Sequence, residues 1–207
     1  NHNSIFVFGA GECNDIDLKC FTDIFNQVVL SDIDVFSMTE GLARQKLSDT
    51  QKEKIELVQA DYTGLDRADF FHTITDFVNH RKPETNISAY IKDTISQLNT
   101  NDLLSVQKSK HDVVLVLPTY TQLVYTQMEA LLRILHQYSV YEIENLNRII
   151  TSMYHSMPQL INHYNNLMLS LVAKDGLLIV LTDVLEITNE QVKAKLENKI
   201  DDIEYIK

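Results

Sequence analysis

Apolar runs alternate with amphipathic segments along this chain of 207 residues. Two of these runs, Asp112–Leu117 and Leu177–Thr182, are apolar at almost every position, which is typical of central parallel strands covered on both faces. This alternation predicts an α/β fold: a doubly wound, mostly parallel sheet with helices on both faces. The predicted strands are Ser4–Phe8, Gln27–Ser31, Ile55–Ala60, Asp112–Leu117 and Leu177–Thr182. The predicted helices cover residues 15–26, 35–48, 121–138 and 157–173.

Local signals set the ends of these elements. Ser156 with Gln159 predicts a capping box at the start of the last helix, after a connection over residues 139–155. The pair Asp175-Gly176 predicts the end of that helix. Thr119 with Gln122 predicts a second capping box, and Ile203–Lys207 is a candidate sixth strand.

Residues 66–110 separate the third and fourth strands by more than an ordinary crossover. They contain helical patterns around Phe70–Val78 and Ile87–Leu98. Insertions on the ligand side of an α/β sheet often form lids and substrate pockets. An additional packing helix is the alternative, and the sequence favours neither.

The first two predicted strands are joined by a turn, Gly9-Ala10-Gly11, and a helix, and the second strand ends on Asp32 and Asp34. A strand–turn–helix–strand unit of this kind is typical of nucleotide-binding halves of doubly wound sheets, because the two strand tips lie side by side. The turn is acidic, with Glu12, Asp15 and Asp17 around the start of the helix. A pyrophosphate would be repelled there, so the turn suits a ligand with positive charge, although Asp15 can also be read as a plain N-cap.

These residues resemble the class I S-adenosylmethionine-dependent methyltransferases, a Rossmann-like family, over most of the chain. The resemblance implies that the turn lies against the methionine part of the cofactor and that Asp32 holds the ribose hydroxyls. It also implies that Asp61, in the segment Gln59-Ala60-Asp61-Tyr62, contacts the adenine amino group. The ammonium and sulfonium of S-adenosyl-L-methionine would explain the acidic turn. The expected cofactor site comprises Gly9, Ala10, Gly11, Glu12, Asp32, Asp34, Asp61 and Tyr62.

The chain departs from the family at two places around the turn. Val7 stands where the family often has an acid, and Cys13 where it often has a third small residue. After the fourth strand, Leu117-Pro118-Thr119-Tyr120 loosely resembles the Asn-Pro-Pro-Tyr motif of amino-group methyltransferases. Leu117 replaces the Asn or Asp that would accept hydrogen bonds from the target amine, so that chemistry is not carried over.

Two residues are candidates for catalysis on the substrate side. Tyr120 is expected to form part of the wall against the methyl acceptor, and His155, placed before the long helix, could act as a base near neutral pH. A surface role for His155 is the alternative. The sequence contains no paired Cys-x-x-Cys and no His-Glu-x-x-His motif, so no metal site is expected.

Composition narrows the class of partner. Lys and Arg number 18 against 29 Asp and Glu, a net charge of −11, which disfavours nucleic-acid substrates. No run approaches the roughly 20 apolar residues that span a bilayer, and two cysteines suit a reduced, cytoplasmic protein. Because the chain begins with Asn1, we expect that an N-terminal segment precedes it.

The leading hypothesis is therefore a single Rossmann-like domain over residues 1–207 that transfers a methyl group from S-adenosyl-L-methionine to a small molecule or a peptide-like acceptor. A non-catalytic Rossmann-like binding domain is the first alternative, since the segment after the fourth strand lacks a polar reacting group. A nicotinamide-dependent oxidoreductase is the second: the acid at the end of the second strand favours it, and the acidic turn counts against it. The sequence does not indicate an oligomeric state.

Overall fold

A computed structural model describes residues 3–98, 110–120, 130–137 and 141–182. Its centre is a sheet of five parallel strands in the order β3-β2-β1-β4-β5, which confirms the predicted α/β, Rossmann-like fold. The strands are β1 Ser4–Phe8, β2 Gln27–Asp32, β3 Ile55–Gln59, β4 His111–Val116 and β5 Val172–Val180. The predictions for Gln122 and Ile203–Lys207, and for part of the helix over 121–138, lie outside the described residues.

Six helices accompany these strands in the described ranges, and residues 130–137 are helical as well. They are α1 Leu18–Ile24, α2 Val35–Arg44, α3 Asp49–Lys52, α4 Phe70–Asn79, α5 Glu84–Gln97 and α6 Ile143–Leu171. No helix within these ranges combines the length and the apolar character needed to cross a bilayer.

Both faces of the sheet are covered, because alternate residues of each strand point to opposite sides. On one face, Val7 and Leu30 pack with Leu18 of α1 and Met38 of α2. On the other face, the strands pack against the C-terminal half of α6, in a cluster of Phe6, Phe8, Val29, Val114, Val116, Tyr164, Leu167, Met168 and Leu171. The strand β1 is buried along its whole length. Because it is the third of the five strands in the sheet, the turn that follows it lies at the middle of the sheet edge.

A third hydrophobic cluster joins α4, α5, residues 130–137 and the N-terminal half of α6, and we call this group of helices the helical cap. Its members include Phe70, Ile74, Ile87, Ile91, Leu131, Ile149, Met153 and Leu160. The helix α6 is about 43 Å long at 1.5 Å per residue, whereas β4 spans about 20 Å. Because α6 leads directly into β5 and only its C-terminal half covers the sheet, the cap stands beyond the carboxyl ends of the strands. The two helical patterns predicted in residues 66–110 are α4 and α5.

The long helix differs from its prediction at both ends. It begins at Ile143, so the predicted connection over 139–155 and the capping box at Ser156 are wrong; the Ser156 hydroxyl instead donates to the Ser152 carbonyl within the helix. The helix ends at Leu171, and the predicted stop at Asp175-Gly176 lies inside β5. There Asp175 has a φ of 65°, and the pairing of β5 with β4 shifts register.

His111, the first residue of β4, is fully buried beside the ring of Phe6 at 5.3 Å. Neither ring nitrogen has a hydrogen-bond partner within the described part of the chain. Burial lowers the pKa of His111 below its ordinary 6.5, against the opposing charges of Glu56 and Asp112. The unfolded chain therefore binds a proton on His111 at a pH where the folded chain does not.

We expect this histidine to make the fold less stable in mild acid. At pH values above the pKa of His111 in the unfolded chain, the fold keeps its full free energy of unfolding. That free energy falls as the pH drops from there through the lower pKa of His111 in the folded chain. Urea unfolding at about pH 7.5 and about pH 5.5 measures the loss. The variant His111→Leu removes the titrating ring, so its stability should fall less between the two pH values. An equal fall in both proteins would assign the acid sensitivity to other groups.

Candidate functional site

The turn after β1 is fixed to the neighbouring strand by its backbone. Gly9 and Ala10 both donate their N–H groups to the Ser31 carbonyl of β2, at 2.9 and 3.0 Å. Gly9 and Gly11 have φ angles of 72° and 45°, in the left-handed region that favours glycine. A methyl group built on Gly11 would meet no atom within 4 Å, so the outer side of the turn is open.

Asp32, at the tip of β2, lies directly against this open turn. The N–H of Gly11 donates to its Oδ2 at 2.9 Å, and the N–H of Asp34 donates to its Oδ1 at 3.1 Å. A carboxylate accepts about four hydrogen bonds, so each oxygen retains capacity for a ligand hydroxyl. The structure therefore brings the predicted ribose acid and the predicted turn together.

Asp34 has a local structural task. It is the N-cap of α2, and its carboxylate accepts from the N–H of Ser37 at 3.0 Å and from the Ser37 hydroxyl at 2.7 Å. These bonds lower the pKa of Asp34 and keep it ionised. Its side chain is exposed beside Asp32, so its negative charge contributes to the same edge of the sheet.

The acidic turn is partly neutralised by a residue of α2. Arg44 donates to Glu12 Oε2 at 2.8 Å, and this bond lowers the pKa of the Glu12 carboxyl. Gly41 of the same helix allows the approach, because a methyl group there would overlap the Glu12 carbonyl. Asp17, rather than Asp15, is the N-cap of α1 and accepts from the N–H of Cys20.

Asp61, the predicted adenine contact, holds together its own loop. Its Oδ1 accepts from the N–H and the hydroxyl of Thr63 at 2.8 and 2.6 Å, and its Oδ2 accepts from the N–H of Asp66 at 3.0 Å. Three of its about four acceptor positions are occupied. Asp32 is thus the more available of the two acids for a ligand.

Tyr62 lies beneath the turn with its side chain 8% exposed. Its hydroxyl oxygen accepts from the N–H of Gly9 at 3.1 Å. Its ring packs against Phe8 and against Tyr164 of α6, with ring centres 5.1 and 5.5 Å apart. The Tyr164 hydroxyl in turn forms a 2.6 Å hydrogen bond with Thr119 Oγ1, after β4.

The two candidate catalytic residues lie in different places. Tyr120 follows β4 at the sheet edge, and its hydroxyl donates to Asn165 Oδ1 at 2.6 Å. His155 was predicted to precede the long helix, and this is wrong: it lies inside α6, on the exposed side of that helix. It is about 13 Å from the level of Tyr164 along the helix axis, in the part of α6 that belongs to the cap.

Sequence reasoning missed Tyr164, Gly41 and Arg44. Tyr164 was placed in the apolar stripe of the last helix, yet a buried tyrosine usually has a partner for its hydroxyl. Gly41 falls inside a predicted helix, and an isolated helical glycine is a signal of close packing. Arg44 carries no local signal, because its partner Glu12 is distant in sequence.

The described residues contain no group of three or more His, Cys, Asp or Glu side chains placed to hold a metal ion. Both cysteines are free thiols. Cys13 is buried behind the turn, and burial raises the pKa of its thiol to about 11, so this sulfur stays protonated at neutral pH. The described groups at this edge that could meet a ligand are carboxylates, phenols and backbone groups.

No protein-family model matches this chain, and no curated protein matches it. A solved structure of the methyltransferase domain of a bacterial protein, CtHen1-CN, resembles it with 14% sequence identity and a TM-score of 0.34. The match covers 66% of this chain and 52% of that structure, so the chain spans about half the length of the structure it matches. The function of this chain therefore has to be derived from the geometry of its own site.

Proposed function

We propose that the carboxyl edge of this sheet binds S-adenosyl-L-methionine and that the chain, as one domain, transfers its methyl group to a small molecule or a peptide-like acceptor. One observation carries the proposal: Asp32 is held at 2.9 Å from the N–H of Gly11, on a turn whose outer side is open. A carboxylate fixed in this way can accept two hydroxyls of a ribose while the turn receives the rest of the ligand.

The charges of the edge suit this cofactor better than a dinucleotide. Arg44 neutralises Glu12, but Asp32 and Asp34 remain as carboxylates beside the turn. A carboxylate at the end of the second strand could also hold the ribose of a dinucleotide, but the pyrophosphate would then lie at the N-terminus of α1, where the Asp17 carboxylate already accepts from the N–H of Cys20. A ligand with an ammonium and a sulfonium is instead attracted by the acids of this edge. A nicotinamide dinucleotide is disfavoured for this reason.

When bound, S-adenosyl-L-methionine supplies a methyl group that is already activated by its sulfonium. The chain then has to bind, orient and enclose the reacting groups and remove a proton from the acceptor. In this proposal the turn and Asp32 orient the cofactor, and Tyr120 forms the wall on the acceptor side. The helical cap, which includes His155, would exclude water. Free thiols suit a reduced compartment such as the cytoplasm.

A non-catalytic binding domain is the second candidate, and two observations favour it. The Tyr120 hydroxyl is engaged with Asn165, and Leu117 offers no polar group at the end of β4. Such an edge could hold the cofactor without a group to activate an acceptor.

Parallel calorimetric titrations with S-adenosyl-L-methionine, S-adenosylhomocysteine and NAD test the proposal. We expect the first two to bind with micromolar affinity and NAD not to bind. Binding of NAD alone would overturn the interpretation of the acidic edge. Binding of none would remove the cofactor from the proposal, whereas binding without turnover in an acceptor screen would favour the non-catalytic domain.

A further inference from the structure

The glycine turn has a buried support on its inner side. The Tyr62 hydroxyl oxygen accepts from the N–H of Gly9 at 3.1 Å. The Thr119 methyl group lies so close to Gly9 that a side chain at Gly9 would overlap it. These two residues belong to different connections, one after β3 and one after β4. They add two side-chain contacts to the backbone bond from the same Gly9 N–H to the Ser31 carbonyl at 2.9 Å.

Tyr164 joins the two points. It is fully buried, its ring packs on Tyr62 at 5.5 Å, and its hydroxyl is hydrogen-bonded to Thr119 at 2.6 Å. Burial raises the pKa values of Tyr62 and Tyr164 well above the ordinary value of a tyrosine, so both phenols keep their protons. Tyr164 also stands on α6, whose N-terminal half is part of the helical cap.

We infer that Tyr62 and Tyr164 are positioning residues for the cofactor: they act through Gly9 and Thr119 to hold the turn in the conformation that receives the ligand. This inference rests on the proposed function and changes the role expected for Tyr62. Its hydroxyl is directed to the backbone of the turn and not to a ligand. The ligand contacts Gly11 and Asp32 on the outer side of the turn, while Tyr62 and Tyr164 support the turn from its inner side and so fix its position.

The same contacts link the turn to the cap. Tyr164 is bonded to Thr119 and packed on the Tyr62 ring, and these two residues contact Gly9 through the Thr119 methyl group and the Tyr62 hydroxyl. Removing one hydroxyl while leaving its ring in place should therefore loosen the turn and leave the core packed. The bond is present with and without ligand, so its loss lowers affinity only through the fraction of chains whose turn is competent to bind, and one neutral hydrogen bond limits that fall to about fivefold.

The test uses Tyr62→Phe and Tyr164→Phe, with Tyr90→Phe as the matched control. Tyr90 also bonds a backbone group through its hydroxyl, the Ala68 carbonyl at 3.2 Å, but in the cap and away from the turn. Each purified variant is titrated with S-adenosylhomocysteine, and the backbone amide signal of Gly9 is followed by NMR in the absence of ligand. We expect both site variants to bind more weakly, by up to about fivefold, and to shift the Gly9 signal, and the control to do neither.

The two readouts separate the two claims. If the wild-type chain binds no S-adenosylhomocysteine, the proposed function and the role toward a cofactor fall together, and the Gly9 signal alone still decides whether the tyrosines hold the turn. If the wild-type chain binds and both variants bind equally well, only the positioning role is overturned. An unchanged Gly9 signal in Tyr62→Phe overturns it as well, as does an equal loss of affinity in Tyr90→Phe.

Discussion

The substitution Gly9→Ala is expected to lower the free energy of unfolding by about 2–5 kcal/mol and to abolish ligand binding at the turn. The φ of Gly9 is 72°, which costs an alanine about 1–2 kcal/mol. The new methyl group would also overlap Thr119 Cγ2, and overpacking of this kind costs about 1–3 kcal/mol. Thr119 cannot turn away freely, because its hydroxyl is bonded to Tyr164. Urea unfolding measures the sum.

Gly11→Ala is the matched control for the steric part of this prediction. Its φ is 45°, but an added methyl group meets nothing within 4 Å. Only the backbone term of about 1–2 kcal/mol should remain. The second variant Thr119→Ser removes the clashing methyl group and keeps the hydroxyl, so it should restore about 1–3 kcal/mol to Gly9→Ala. An equal loss in both glycine variants, with no rescue by Thr119→Ser, would contradict the close contact.

The sheet and its turn could be predicted because their signals are local. Each strand is a short apolar run, and parallel strands place their carboxyl ends at one edge, so Gly11 and Asp32 had to meet. The roles of the individual acids at this edge could not be predicted in the same way. Asp34 caps a helix and Asp61 accepts three bonds from its own loop, and these tasks depend on where the backbone N–H groups point.

The long helix shows how packing overrides local stop signals. Ser156 with Gln159 predicts a helix start, yet α6 passes through both and through Pro158. Pro158 is exposed, while Ile149, Met153 and Met157 continue the buried stripe of Leu160 into the cap. The burial of that stripe outweighs the backbone hydrogen bond that proline removes. The cap core includes helices from distant parts of the chain, so no local pattern could reveal it.

Among substitutions that leave the glycine turn intact, removal of the Asp32 carboxylate should produce the largest loss of ligand affinity. Loss of one hydrogen bond to a charged group costs about 1.5–3 kcal/mol, or about 10- to 150-fold in affinity, and Asp32→Ala is expected to weaken binding of S-adenosylhomocysteine by at least this factor. Part of the loss comes from the N–H groups of Gly11 and Asp34, which lose their acceptor. Asp32→Asn keeps one acceptor oxygen and should lose less. Calorimetric titration gives the affinities.

Asp15→Ala is the control for charge alone, because Asp15 is an exposed acid on the segment that follows the turn. Comparing two ligands then separates ribose binding from attraction of a cation. S-adenosyl-L-methionine carries a sulfonium charge that S-adenosylhomocysteine lacks, while both carry the same ribose. A ribose contact at Asp32 predicts equal losses for the two ligands, whereas a purely electrostatic role predicts a larger loss for the first. Unchanged affinity in Asp32→Ala for both ligands would show that this carboxylate is not the ribose anchor.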